Sequence, residues 1–158
     1  MSDSFAMAEA LWRLGWLTAA GARDAVLDAI AAGHDAPALY DFLAGGYGTA
    51  ADIHDAFARV LAELDRAPLD SGVAAIRFAR AHAREIASGD LAALTMLRAN
   101  WRELRDREDL PDVARPFVTL ATRHMFYSAE PELLPDYLAE LTDTARLFLA
   151  TTDQNCRR

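Results

Sequence analysis

The sequence predicts an all-α fold: a single-domain, irregular bundle of about seven or eight short helices over residues 1–150, with a polar tail expected to fray over 151–158. Two observations carry this reading. Apolar residues recur with helical period along almost the whole chain, and no run of β-branched and aromatic residues alternates as a strand would. Glycine, proline and short polar residues also fall where helices stop and start. A chain of 158 residues fits one domain, with room for two small subdomains.

The first helix is expected over about residues 3–14, with Phe5, Ala8, Leu11 and Trp12 on one face and Gly15 as its stop. Thr18 is placed to cap a second helix running to Ala32. Its inward stripe would be Ala22, Val26, Leu27 and Ile30, with Asp24 and Asp28 outside. The stretch GHDAPALYDFLAGGYGT at 33–49 looks at first like a ligand loop. A phosphate cradle, however, needs glycine amides entering a helix beside a lysine or a strand, and neither context is present. Helix punctuation accounts for the same residues. Gly33 closes the second helix, Asp35 caps the third, Pro37 sits in its first turn, Leu39, Phe42 and Leu43 face inward, and Gly45 and Gly46 end it.

Thr49 is expected to cap a fourth helix with Ile53, Phe57, Val60, Leu61 and Leu64 inside and Asp52, Asp55, Arg59 and Glu63 opposite. Asp70 or Ser71 caps a fifth helix running to Ser88, which Gly89 closes. Asp90 starts a sixth carrying Leu94, Leu97, Trp101 and Leu104 at heptad spacing. Pro116 starts or kinks a helix that carries Phe117, Leu120, Ala121 and His124. The last begins near Pro131 or Pro135 and carries Leu134, Leu138, Leu141, Ala145 and Phe148.

Charge is unevenly placed. Residues 1–70 hold four Arg against eleven Asp and Glu, a net −7, and residues 71–158 hold twelve Arg against thirteen acids, a net −1. All sixteen basic residues are arginine. An acidic first half lacks the clustered cations that phosphate contacts need, so nucleic acid is not an expected partner. No secretory leader or membrane-length apolar run is evident, and Cys156 has no partner for a disulfide, so a cytoplasmic location is expected.

The stretches AGHDAPALYDFLAG, FARVLAELDRAPLD, REIASGDLAALTMLRANW and RPFVTLATRHMFY resemble, in that order, uncharacterised all-helical bacterial proteins common in actinobacteria. The matching positions include Gly33, Asp35, Pro37, Leu39, Leu43, Ala44, Gly45, Gly89, Trp101, Pro116 and Phe117. Ala93 and Met96 stand where such proteins carry Pro and Gly, and Thr122, Arg123 and His124 where they carry an acidic and aromatic cluster. The resemblance implies a helical fold and carries no established activity.

Catalytic signals are weak. His34, His54, His82 and His124 include no i, i+4 zinc pair, and the inward stripes hold almost no acids, so no metal and no cofactor is expected. Ser2, Ser4, Ser71, Ser88 and Ser128 fall near helix ends rather than in a nucleophile elbow. His82 and Glu85 share a helix side. His82 reads as a core histidine, with a small-molecule or enzymatic site around His82 and His124 as the alternative. Arg77, Arg80 and Arg84 on the fifth helix, and Arg98, Arg102 and Arg105 on the sixth, read as solvated faces, with an anion patch as the alternative.

The leading expectation is therefore a non-catalytic protein-binding module, of an immunity or antidote type, masking a basic protein partner. Asp24, Asp28, Asp41, Asp52 and Asp55 are the carboxylates expected to meet that partner. A structural subunit of a homo-oligomer is the third class.

Overall fold

The computed structural model describes residues 3–155. Among them are nine helices and no strand, and their backbone separates into two compact units, Met1–Ala74 and Ala75–Arg158.

The first unit contains α1 (Asp3–Leu14), α2 (Ala19–Ala31), α3 (Pro37–Ala44) and α4 (Ala50–Glu63). α1 packs on α2, α2 on α3 and α4, and α3 on α4. The core is built on Phe5, Val26, Leu39, Phe42, Phe57 and Val60, all buried. Phe57 meets Phe5 at 5.7 Å and Phe42 at 6.2 Å between ring centroids, so three helices share one aromatic cluster. Trp12 stacks on His54 at 4.7 Å and donates its indole N–H to the His54 carbonyl at 2.9 Å, tying α1 to α4.

Local signals act as expected at most helix ends. The Thr18 hydroxyl accepts from the Gly21 amide at 3.1 Å. Thr49 and Asp52 form a reciprocal capping box: the Asp52 amide donates to the Thr49 hydroxyl at 3.2 Å, and the Thr49 amide donates to the Asp52 carboxylate at 2.9 Å. Gly33 has φ +90 and Gly89 φ +94, the left-handed region in which a side chain is strained, so punctuation explains both.

The start of α3 is different. Asp35 does not cap it. The N-cap is Ala36, which has no side chain able to accept, and the Ala38 amide instead donates to Glu63 of α4 at 2.8 Å. The inward stripe of α2 also differs: Ala22, Ala25, Val26 and Ala29 are buried, while Leu27 is 46% exposed. Small alanines let α1 and α3 close on α2 directly, which rotates Leu27 to the outside.

The second unit takes up α5 (Ser71–Ala87) from Ala75 onward, with α6 (Ala92–Met96), α7 (Arg98–Asp106), α8 (Arg115–Tyr127) and α9 (Leu134–Asn155). Asp70 caps α5 through the Gly72 amide at 2.8 Å and the Val73 amide at 3.2 Å. A chain of rings runs through the unit: Phe78 to Trp101 at 5.2 Å, Trp101 to Phe117 at 5.7 Å, and Phe117 to Phe148 at 5.5 Å.

The expected sixth helix is two helices. Leu97 leaves helical geometry at φ −103, ψ 24, which separates α6 from α7 and raises the count above the seven or eight expected. The Ala93 carbonyl accepts both the Leu97 amide and the Trp101 indole N–H, each at 3.1 Å, so the break is satisfied by hydrogen bonds. The final helix also outlasts its expected end at 150. It continues to Asn155, because Thr152 is buried and its hydroxyl returns to the Phe148 carbonyl at 2.9 Å. Cys156 lies outside the described residues.

Candidate functional site

The charge asymmetry of the sequence is an asymmetry between the two compact units. Residues 71–74 carry no charge, so the first unit keeps its four Arg and eleven acids. Ten of those eleven carboxylate residues are exposed, and only Glu9 is buried. Glu9 was invisible to sequence patterning because a carboxylate on a helix is ordinarily a solvent residue. It faces Arg66, whose Nε and Nη2 donate to the two carboxylate oxygens at 2.8 and 2.7 Å. The pair consumes one of the unit's four arginines. Arg13, Arg23 and Arg59 remain on the exposed surface against ten acids.

Asp24, Asp28, Asp41, Asp52 and Asp55 are all exposed. They are not equivalent. Asp24 and Asp28 stand one turn apart on α2, and Asp28 accepts a hydrogen bond from the Ser4 hydroxyl of α1. Asp41 lines a small cleft between α3 and α4 with Arg59, Glu63 and Tyr47. Asp52 belongs to the capping box and serves the fold of α4. Asp55 is 3.8 Å from the His54 ring nitrogen. Asp35, missed as a surface candidate, holds the Tyr40 phenol above its usual range by a side-chain hydrogen bond and by its charge.

The histidines have separate environments. His82 Nδ1 lies 2.7 Å from Glu85, and its ring meets Phe78 and Trp101 edge-on at 4.6 and 5.9 Å. His124 instead lies 6.0 Å from Tyr137. Among the described residues its buried Nδ1 has no hydrogen-bond partner, and burial lowers its pKa. No group of three or more His, Cys, Asp or Glu among the described residues is arranged to hold a metal ion.

On the second unit, arginines meet carboxylates locally. Arg80 donates to Asp153, Arg105 to Asp106 at 2.7 Å and Arg107 to Asp109 at 2.9 Å. Arg105 holds the Asp106 carboxyl below its usual range. The Arg80 side chain in its pair is only 15% exposed, whereas Arg105 and Asp106 are 43% and 63% exposed. Among the described residues no helix is long and apolar enough to cross a membrane.

No family model, no curated protein and no solved structure matches the chain.

Proposed function

We propose that this chain is a non-catalytic binding module whose first unit takes, and masks, a basic protein surface. The observation that carries the reading is the imbalance on that unit: ten exposed carboxylates against three exposed arginines. A field of one sign attracts a complementary partner and speeds encounter. Two large apolar side chains, Leu27 and Tyr40, are about half exposed on the same unit, 46% and 48%. Exposed carboxylates together with exposed apolar side chains suit a protein surface better than a free cation.

The test is association kinetics. A partner captured from the source cells with the tagged full chain is identified, purified and bound again at increasing salt. The association rate is expected to fall steeply between 0.1 M and 1 M salt, as the screening length shrinks from about 10 to about 3 Å. Replacing Asp24, Asp28, Asp41 and Asp55 by Asn, with Asp52 kept for its capping role, is expected to slow association and flatten that dependence. An unchanged rate and unchanged salt slope refute the reading.

A further inference from the structure

We infer that the cleft between α3 and α4 is a binding site for a free basic amino acid, a ligand with one carboxylate and two cationic groups. The inference goes beyond the reading above and does not depend on it, since it concerns a small molecule in one cleft rather than a protein surface.

The apolar part of the cleft is built from small residues and two rings. Ala38 of α3 and Ala56 of α4 line it, both buried, together with Phe42. Tyr47, in the loop between the helices, folds back as a wall. Its ring lies 4.7 Å from the Phe42 ring, and its hydroxyl donates to the Phe42 carbonyl at 2.9 Å. A Cβ at position 45 would fall 2.6 Å from that hydroxyl oxygen, so Gly45 is what leaves room for the phenol. The cleft, its mouth included, holds about 260 Å³, below the roughly 300–1,000 Å³ of pockets for drug-sized ligands and suited to a small metabolite.

Charge selects the occupant. Asp41 from α3, with Arg59 and Glu63 from α4, lines the same space. Arg66, Arg105 and Arg107 each close on a carboxylate, at 2.7, 2.7 and 2.9 Å. Arg59 does not: among the described residues it has no hydrogen bond or ion pair, although two carboxylates share its cleft. Asp41 and Arg59 both act on the Tyr47 hydroxyl, the first raising its pKa and the second lowering it, so opposite charges converge there without pairing. One Glu63 oxygen accepts the Ala38 amide at 2.8 Å, which holds that carboxylate in place and leaves its other oxygen available. The complement of this set is a carboxylate for Arg59, gripped by two parallel N–H donors, and two cationic ends for Asp41 and Glu63. Free lysine or arginine carries those three groups on an alkyl stem, and the stem suits Ala38, Ala56 and Phe42. A simple cation would leave Arg59 unmatched, and a simple anion would meet two carboxylates.

The experiment is a proton–nitrogen chemical-shift titration of the full chain at about 0.15 M salt. The ligands are L-arginine, agmatine, which lacks the carboxylate, and citrulline, whose side chain is neutral. The chains compared are the wild type, Arg59→Gln, and Asp24→Asn as a control outside the cleft, each checked for unchanged helical circular dichroism. On the wild type and Asp24→Asn, arginine is expected to bind about tenfold more tightly than either analogue, with the largest shifts in residues 38–47 and 56–63. On Arg59→Gln, arginine is expected to weaken about tenfold, to the level of agmatine. Equal binding of arginine and agmatine by the wild type would be the pull of an acidic unit on any cation; it overturns the site and leaves the acidic-surface reading standing. An arginine affinity unchanged by Arg59→Gln, or no shift of the wild type up to about 10 mM arginine, overturns the site as well.

Discussion

Glu9 and Arg66 form a two-pronged ion pair, 2.8 and 2.7 Å, in which the Glu9 side chain is 3% exposed and the Arg66 side chain 36%. The two residues are far apart in sequence, so the pair fastens the segment after α4 back onto α1. The hydrogen bonds to Glu9 also raise the Arg66 pKa. Removing one partner of such a pair strands the other, and Arg66→Ala is expected to destabilise the protein by about 3 kcal/mol in urea unfolding. A Glu9→Leu/Arg66→Met double variant should recover most of that loss. If Arg66→Ala and the wild type unfold at the same urea concentration, the carboxylate is solvated and the pair is incidental.

Trp101 is fully buried and its indole N–H holds the Ala93 carbonyl across the α6–α7 break. Trp101→Ala should cost about 3–5 kcal/mol through the lost ring and the cavity left behind. Trp101→Phe keeps much of the ring but leaves the carbonyl with only the Leu97 amide, and about 1 kcal/mol beyond the repacking cost is expected. A change within 0.5 kcal/mol for Trp101→Ala in denaturant melts would contradict the buried placement.

The capping box of α4 gives a separate stability test. Thr49→Ala removes the acceptor for the Asp52 amide and should cost about 1 kcal/mol. Asp52→Ala should cost a similar amount, whereas Asp24→Ala, one of the other exposed carboxylates, should stay within about 0.5 kcal/mol. Equal effects at Asp52 and Asp24 would show that the box contributes nothing.

His124 predicts a pH dependence. Burial lowers its folded pKa below the unfolded value of about 6.5, so the folded state favours the neutral ring. Above the unfolded pKa both states are neutral and the group adds no slope. As pH falls below about 6.5 the unfolded chain takes up the proton first, and stability declines until the folded ring is protonated too. In chemical unfolding measured between pH 8 and pH 5, His124→Phe should lose part of the acid-side decline shown by the wild type. Parallel curves for the two proteins would assign the decline to other groups.

Helix starts and stops were legible in the sequence because they are local events. Thr18 and Thr49 cap with amides within three residues, and Gly33 and Gly89 relieve strain at single residues. The acidity of the first unit was legible for the same reason, since charge is a property of composition. Four other features needed the tertiary structure. The cap of α3 comes from Glu63 on α4, and the heptad of Leu94, Leu97, Trp101 and Leu104 runs unbroken through a site where the backbone breaks. The burial of Glu9 depends on Arg66, and the exposure of Leu27 depends on alanines packing α2 against its neighbours. Periodicity names a helix and roughly which residues are apolar. Which apolar residue turns outward, and which carboxylate turns inward, is decided by the shape and hydrogen-bonding groups of helices distant in sequence.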